Sequence, residues 1–151
     1  MQITSILSAE RTLCHVQAAD KQQALTVCAQ LFEQDTAGIA ASTLLQNLLA
    51  RERLGSTGLG NGIAIPHCRL KNIDTVQGAL VTLAAPIEFD AIDNRPVDIL
   101  FVLLAPERAL QQHLNALAAL AERLNEPALR QALRAATSSE ALYQAITGTP
   151  A

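Results

Sequence analysis

The sequence predicts an α/β fold, a three-layer α/β/α sandwich whose mixed central sheet is flanked by helices (formally α+β in some schemes). Three observations predict it. Strand-like runs alternate with helical patterns, the run Val97 to Ala105 is apolar enough for a strand covered on both faces, and the last third of the chain has helical periodicity. The length of 151 residues suits one domain, 1–151, with a substantial core.

The first predicted elements are a strand and two helices. Thr12 to Val16 is a candidate strand. Asp20 resembles a helix N-cap, and Lys21 to Glu33 has apolar residues at helical spacing. A second helix is predicted to begin near Ser42, and if it continued regularly Glu52 would fall near the middle of its apolar face.

A glycine-rich segment, Gly55 to Gly62, follows this second helix and is predicted to be a loop. It has the spacing of neither a Walker loop nor a dinucleotide fingerprint, so by itself it is equally consistent with a mobile connection. Ile63 to Ile65 is a short candidate strand that stops at Pro66, because proline cannot donate to a strand ladder. His67 lies just beyond it.

Two longer strands are predicted at Gln77 to Ala84 and Val97 to Ala105, with a turn at Asp93 to Pro96 between them. Pro127 can open a further helix, and Thr137 with Glu140 predicts a capping box for a final helix through Ile146.

The helix before Pro127 has one predicted apolar face. Its members recur at spacings of three and four residues, and they are Leu110, His113, Leu114, Leu117, Ala121 and Leu124.

Composition excludes several classes of function. The net charge of −3, the scattered basic residues and the aromatic content of 3% disfavour nucleic-acid binding. Cys14, Cys28 and Cys68 fit neither a disulfide framework nor a zinc pattern, and they favour a reducing compartment. Neither a signal peptide nor a membrane-spanning stretch is evident. We therefore expect a cytoplasmic protein without a metal, a cofactor or a membrane-inserted segment.

His67 is the first candidate for chemistry. Pro66 stiffens the backbone before it, and the glycine-rich loop offers backbone N–H groups beside the hydroxyls of Ser56 and Thr57. Successive N–H groups of this kind form anion-binding nests, and a nucleophilic imidazole beside such a nest suits phosphoryl transfer. The alternative from residue types alone is an ordinary surface histidine next to a tight turn.

His113 and two arginines are the other candidates. A single histidine on an apolar helix face is more often a core residue, but His113 could instead face His67 and donate to a phosphoryl oxygen. Arg51 and Arg53 precede the glycine-rich loop, and either could bind a phosphate or simply lie in solvent. Periodicity does not choose between the two arginines. His15 is given no role.

The run from Arg51 to His67, RERLGSTGLGNGIAIPH, resembles the active-site signature of the enzyme IIA domains of the phosphoenolpyruvate-dependent phosphotransferase system. The similarity is to the fructose/mannitol superfamily and is greatest for its nitrogen-regulatory branch. The segment Pro86 to Asp98 and the pair His113-Leu114 also resemble that branch, so the resemblance covers nearly the whole chain.

This resemblance implies a role for each candidate. His67 would be the phosphorylated nucleophile, His113 its partner imidazole and Arg51 the active-site arginine, with the hydroxyls of Ser56 and Thr57 near the phosphate. It also implies a mixed sheet between helical layers and no cofactor. Cys68 stands where the family frequently has glycine; a small residue should be tolerated there, and oxidation-sensitive activity is a hypothesis that the thiol raises.

The resemblance also implies partners. The donor would be an HPr-like phosphocarrier, in this branch a dedicated paralogue. With no attached IIB or IIC segment, the expected output is regulation of target proteins, such as potassium transport or sensor proteins, linked to nitrogen and carbon metabolism. Two alternatives remain: a sugar-specific (fructose/mannitol) IIA component that passes the phosphoryl group to a IIB protein, and a binding module that is never phosphorylated.

Overall fold

Six strands form one sheet between two layers of helices in the computed structural model, which describes residues 2–148. The strands are β1 (Leu7–Val16), β2 (Gly58–Gly60), β3 (Ile63–Ala64), β4 (His67–Leu70), β5 (Gln77–Ile87) and β6 (Val97–Pro106). The helices are α1 (Lys21–Asp35), α2 (Ala41–Leu54), α3 (Leu110–Leu124), α4 (Pro127–Ala135) and α5 (Ser139–Thr147). The predicted mixed sheet and three layers are confirmed.

Strand β6 is the centre of the sheet. One of its edges pairs antiparallel with β5, which is followed by β1 in parallel. Its other edge pairs in parallel with β3 and then with β4, so that Ile63 lies opposite Ile99 and His67 opposite Leu103. Because β4 pairs with β6 alone among the strands of residues 2–148, His67 begins an edge strand of the sheet.

The side chains of β6 belong to two cores. Leu100, Val102 and Leu104 pack in the core that contains α1 and α2. Their alternate neighbours Ile99, Phe101 and Leu103 pack in the core that contains α3, α4 and α5. This double burial explains why the sequence of β6 is apolar at almost every position.

Helix ends follow local and tertiary hydrogen bonds. The Asp20 carboxylate accepts from the Gln23 amide at 2.9 Å, which confirms the predicted N-cap of α1. Helix α2 has no cap from its own neighbouring side chain; instead the Ala41 amide donates to the Glu33 carboxylate at 2.6 Å. Helix α2 is thus started by a residue of α1.

The predicted capping box at Thr137 is wrong by one residue. Ser138 is the N-cap of α5, and its hydroxyl accepts from the Ala141 amide at 3.0 Å. Both positions carry a hydroxyl, so burial decides between them. A helix that begins after Ser138 places Leu142 and Ile146 in the core.

Two other predictions needed correction. Strand β1 begins at Leu7 rather than Thr12, because the buried Arg11 donates to the carbonyls of Ile6 and Gly78 and so allows a charged residue in the sheet. The glycine-rich segment is not all loop: it contains β2, which forms a hairpin with β3 directly after the segment. Asn61 and Gly62 both have positive φ, as a two-residue turn of type I′ requires.

The predicted apolar face of α3 is partly exposed. Leu110 and Leu114 are about half exposed, at 49% each. The buried residues of this helix are His113, Ala116, Leu120 and Leu124, since the helix turns this side to the sheet. None of the helices within residues 2–148 has the length and apolar character needed to cross a bilayer.

Candidate functional site

An open cleft of about 780 Å³ lies at the sheet edge formed by β4. Helix α2 from one layer and α3 from the other supply its flanking walls, so all three layers contribute side chains. Arg51, Arg69 and Lys71 line it, against the single acidic side chain of Glu107. This excess of positive charge favours an anion.

His67 is partly buried at the start of β4. Its Nδ1 lies 2.7 Å from the carbonyl oxygen of Ile65. A carbonyl oxygen can only accept a hydrogen bond, so Nδ1 carries the proton of the neutral ring and Nε2 keeps its lone pair. Nε2 is therefore the ring nitrogen of His67 whose lone pair is available.

Burial also keeps His67 neutral. Desolvation is the largest cause that lowers the pKa of His67 below its usual range, and the charge of Arg51 lowers it further. The hydrogen bond to Ile65 and the Glu52 carboxylate act in the opposite direction but do not prevail. An uncharged imidazole at neutral pH is the form that can attack phosphorus.

His113 faces His67 from α3. The ring centroids are 5.3 Å apart and the ring planes are inclined by 49°. Burial, followed by the charge that His67 carries when it is protonated and by the charges of Arg69 and Arg51, lowers the pKa of His113 to about 4. Its Nδ1 is buried without a hydrogen-bond partner among residues 2–148. A neutral His113 with its proton on Nε2 leaves only a lone pair at that buried atom.

Arg51 is the arginine that the structure brings to the histidines. It lies half-buried in the last turn of α2, lines the cleft, and donates from Nη1 to the Gly55 carbonyl at 2.8 Å. Arg53 is exposed and does not line the cleft. Periodicity alone had left the choice between these two residues open.

Ser56 and Thr57 do not line the cleft. The Ser56 hydroxyl donates to the Phe89 carbonyl at 2.7 Å and accepts from the Gly58 amide at 3.0 Å. The Thr57 hydroxyl donates to the Glu52 carboxylate. Both hydroxyls therefore stabilise the loop in this structure rather than cradle an anion.

The backbone amides of the glycine-rich loop are also engaged. The Thr57 amide donates to the Glu52 carboxylate at 3.2 Å, and the Asn61 amide to the Asp93 carboxylate at 2.9 Å. The Gly58 amide has its partner in Ser56. Three amides of this loop are thus bonded within the protein, whereas the cleft beside His67 is lined by the cationic side chains of Arg51, Arg69 and Lys71.

Sequence reasoning missed Arg69 and Lys71, because the segment after Pro66 was not recognised as a strand. The signal was present as an alternation of period two. Cys68 and Leu70 are buried, while Arg69 between them and Lys71 after them are exposed along the cleft.

Cys68 packs into the core on the α2 side of the sheet. Burial raises the pKa of its thiol to about 12. Since the thiolate is the reactive form, this environment argues against the oxidation sensitivity expected from the sequence.

Comparison with known proteins provides independent information. The family model described as "Phosphoenolpyruvate-dependent sugar phosphotransferase system, EIIA 2" matches residues 5–148. A Pseudomonas aeruginosa protein named "Nitrogen regulatory protein" is 44% identical over 146 residues, which is 97% of this chain and 95% of that protein.

Solved structures agree with this match. The nitrogen regulatory protein IIA-Ntr from Neisseria meningitidis superposes with a TM-score of 0.89 at 33% identity, covering 96% of this chain and 99% of that one. The mannitol IIA of Escherichia coli gives a TM-score of 0.77 at 19% identity, covering 92% and 97%. At that identity the second similarity concerns the fold alone.

Proposed function

Because this chain belongs to the EIIA 2 family of the phosphoenolpyruvate-dependent sugar phosphotransferase system, we propose that it is a cytoplasmic, nitrogen-regulatory phosphocarrier. In this proposal His67 accepts a phosphoryl group from an HPr-like phosphocarrier, the paralogue dedicated to the nitrogen branch. The observation that supports it best is the hydrogen bond from His67 Nδ1 to the Ile65 carbonyl, which leaves Nε2 with its lone pair in a basic cleft.

The transfer is an exchange of one phosphorus–nitrogen bond for another. The lone pair of His67 Nε2 forms the new bond to phosphorus, and the bond to the donor's imidazole breaks with its electron pair returning to that ring. Nδ1 keeps its proton throughout, because the Ile65 carbonyl holds it. The hydrogen bond also stabilises the positive charge that develops on the attacking ring.

The cleft's remaining side chains act on the phosphoryl oxygens. The lone pair of His113 at the buried Nδ1 favours the proton on Nε2, which can donate to one oxygen. Arg51, and with it Arg69 and Lys71, supplies positive charge where the transferred group is most negative. Ser56 and Thr57 support this site through the loop, since their hydroxyls are bonded within it.

Regulation would follow from charge. A phosphoryl group adds about two negative charges, and in this cleft it would offset the excess of Arg51, Arg69 and Lys71 over Glu107. A target protein that binds the cleft face in one state would be released in the other. The names of the relatives support a regulatory output. The targets that we propose are potassium transport or sensor proteins, through which the chain would regulate nitrogen and carbon metabolism.

The intact mass of the protein tests the proposal directly. After incubation with phosphoenolpyruvate, enzyme I and an HPr-type carrier, we expect a gain of one acid-labile phosphoryl group that is absent in His67→Ala. His15→Asn is the matched control, because His15 is exposed and does not line the cleft. Absence of the gain with every competent carrier would rule out the relay and leave a binding module.

A second experiment separates regulation from sugar transport. A fructose- or mannitol-type IIB protein should take the phosphoryl group if the chain is a sugar-specific component. His67→Ala leaves the site without a negative charge, and His67→Asp supplies one as a phosphoryl group would. A regulator should lose its effect on the target in one of these two variants and keep it in the other. Efficient transfer to IIB with no charge-dependent binding would favour the sugar-specific alternative.

A further inference from the structure

Glu52 is a buried carboxylate that the proposed chemistry does not use. It lies in the last turn of α2, and only 4% of its side chain is exposed. An ionised carboxylate in a core costs free energy unless other groups replace the water it loses. The groups that bind the Glu52 carboxylate therefore indicate which parts of the protein it connects.

Groups from two other elements surround this carboxylate. Lys21, the first residue of α1, places Nζ 3.1 Å from Oε2. Thr57, in the loop, donates its backbone amide at 3.2 and 3.3 Å to the two oxygens and its hydroxyl to Oε1. Glu52 thus ties the start of α1, the end of α2 and the glycine-rich loop at one point.

A series of hydrogen bonds leads from this point to His67. The carbonyl of Thr57 accepts from the Ile65 amide at 3.1 Å. The carbonyl of Ile65 in turn accepts from His67 Nδ1 at 2.7 Å. The acceptor that determines which nitrogen of His67 reacts is therefore held, through Thr57, by the Glu52 carboxylate.

Arg51 depends on the same turn. The Gly55 amide donates to the Glu52 carbonyl at 3.1 Å, and the Gly55 carbonyl accepts from Arg51 Nη1 at 2.8 Å. Gly55 is two residues before Thr57, so displacement of the loop from Glu52 would move the acceptor of Arg51 as well.

We propose that Glu52 is a positioning residue: by fixing Thr57 it sets both the tautomer of His67, through Ile65, and the orientation of Arg51. The inference rests on the proposed function, since its chemical consequence is phosphoryl acceptance at His67 Nε2. Glu52 itself stays out of the cleft and exchanges no proton with the phosphoryl group.

The variant Glu52→Gln tests this role, because it preserves the shape of the side chain and removes the charge that Lys21 and Thr57 bind. We expect the ¹⁵N resonances of His67 to change from a single Nδ1–H tautomer to a mixture of tautomers. We also expect the rate of phosphoryl acceptance to fall about tenfold or more, because misplaced reacting groups lower rates by such factors.

A matched control distinguishes positioning from general loss of stability. Asp35→Asn removes the acid partner of the buried Arg11 at the other end of α1, far along the chain from the loop. This variant should lower the midpoint of thermal unfolding while leaving the His67 resonances and the transfer rate as in the unaltered protein. Equal changes in both variants would show that Glu52 contributes only to stability.

If Glu52→Gln does not fold, Thr57→Val provides the second test, since it removes only the hydroxyl bond to Glu52. A mixed His67 tautomer in this variant supports the inference, and an unchanged tautomer overturns it. The tautomer measurement needs no phosphoryl donor. Failure of the unaltered protein to accept a phosphoryl group would therefore count against the proposed function and leave the positioning role to be decided by the resonances.

Discussion

His67 and His113 can lie 5.3 Å apart beside cationic side chains because neither ring is charged at neutral pH. Burial makes the largest contribution in both residues, and each neighbouring positive charge adds to it. The same cations that would bind a phosphoryl group thus help keep the two imidazoles in the neutral form that the proposed transfer needs.

The free energy of unfolding should decrease as the pH is lowered, and His113 is the cause. Its pKa is lowered from 6.5 to about 4, so the unfolded chain binds a proton in this interval that the folded chain does not. The free energy of unfolding therefore decreases as the pH falls from 6.5 toward about 4. Urea unfolding of His113→Gln should show a smaller decrease over this range, whereas His15→Asn should match the unaltered protein. The same decrease in all three proteins would contradict this origin.

The site residues show what sequence patterns can and cannot predict. His67 became a candidate because of a proline, a strand and a glycine-rich loop, all of which are local features, and the family resemblance implied its role. The orientation of the Ser56 and Thr57 hydroxyls was not predictable, because their partners Phe89 and Glu52 are brought to them by tertiary folding. The residue types showed that Ser56 and Thr57 can form hydrogen bonds, but they did not show which groups these hydroxyls would contact.

At the scale of elements, local chemistry determined which predictions succeeded. The N-cap of α1 depends on Asp20 and an amide three residues away, so the sequence contained all the information. Strand β4 has four residues, and its ladder is supplied by β6, which lies more than twenty-five residues further along the chain. The alternation of period two extends over too few residues to predict a strand without that partner.

The end of the chain offers a test of the corrected cap. Ser138→Ala should lower the free energy of unfolding by about 1 kcal/mol, because the amide of Ala141 loses its acceptor. Thr137→Ala, one residue earlier, is the matched control and should change it little. Urea denaturation of both variants decides between the two positions, and a larger loss in Thr137→Ala would restore the predicted capping box.

At the scale of the whole molecule, the central strand joins the two cores. The uniformly apolar sequence of β6 predicted this arrangement correctly. What it could not indicate was that α2 and α3, from opposite layers, meet at the β4 edge and bring Arg51 and His113 to His67. The positions of these two helices depend on where each layer ends relative to the sheet, and the sequence of a single segment does not predict this.

Both cores should therefore unfold together. Leu100→Ala affects the α1–α2 core and should cost about 2–5 kcal/mol, and Phe101→Ala affects the α3–α5 core and should cost about 3–5 kcal/mol. Because the two residues are neighbours on one buried strand, the two variants should each show a single transition. Far-UV circular dichroism and the NMR signal of His67 should give the same midpoint, and separate midpoints would contradict the coupling of the layers.

The acceptor of the His67 proton is a main-chain atom, and this has an evolutionary consequence. Any amino acid at position 65 supplies a carbonyl, so no amino-acid substitution there can delete the group that fixes the tautomer of His67. Selection at position 65 acts instead on how the residue, which is 2% exposed, fits the core and on the amide that donates to Thr57. Homologues can therefore exchange one apolar residue for another at this position and keep the same hydrogen-bond acceptor for His67.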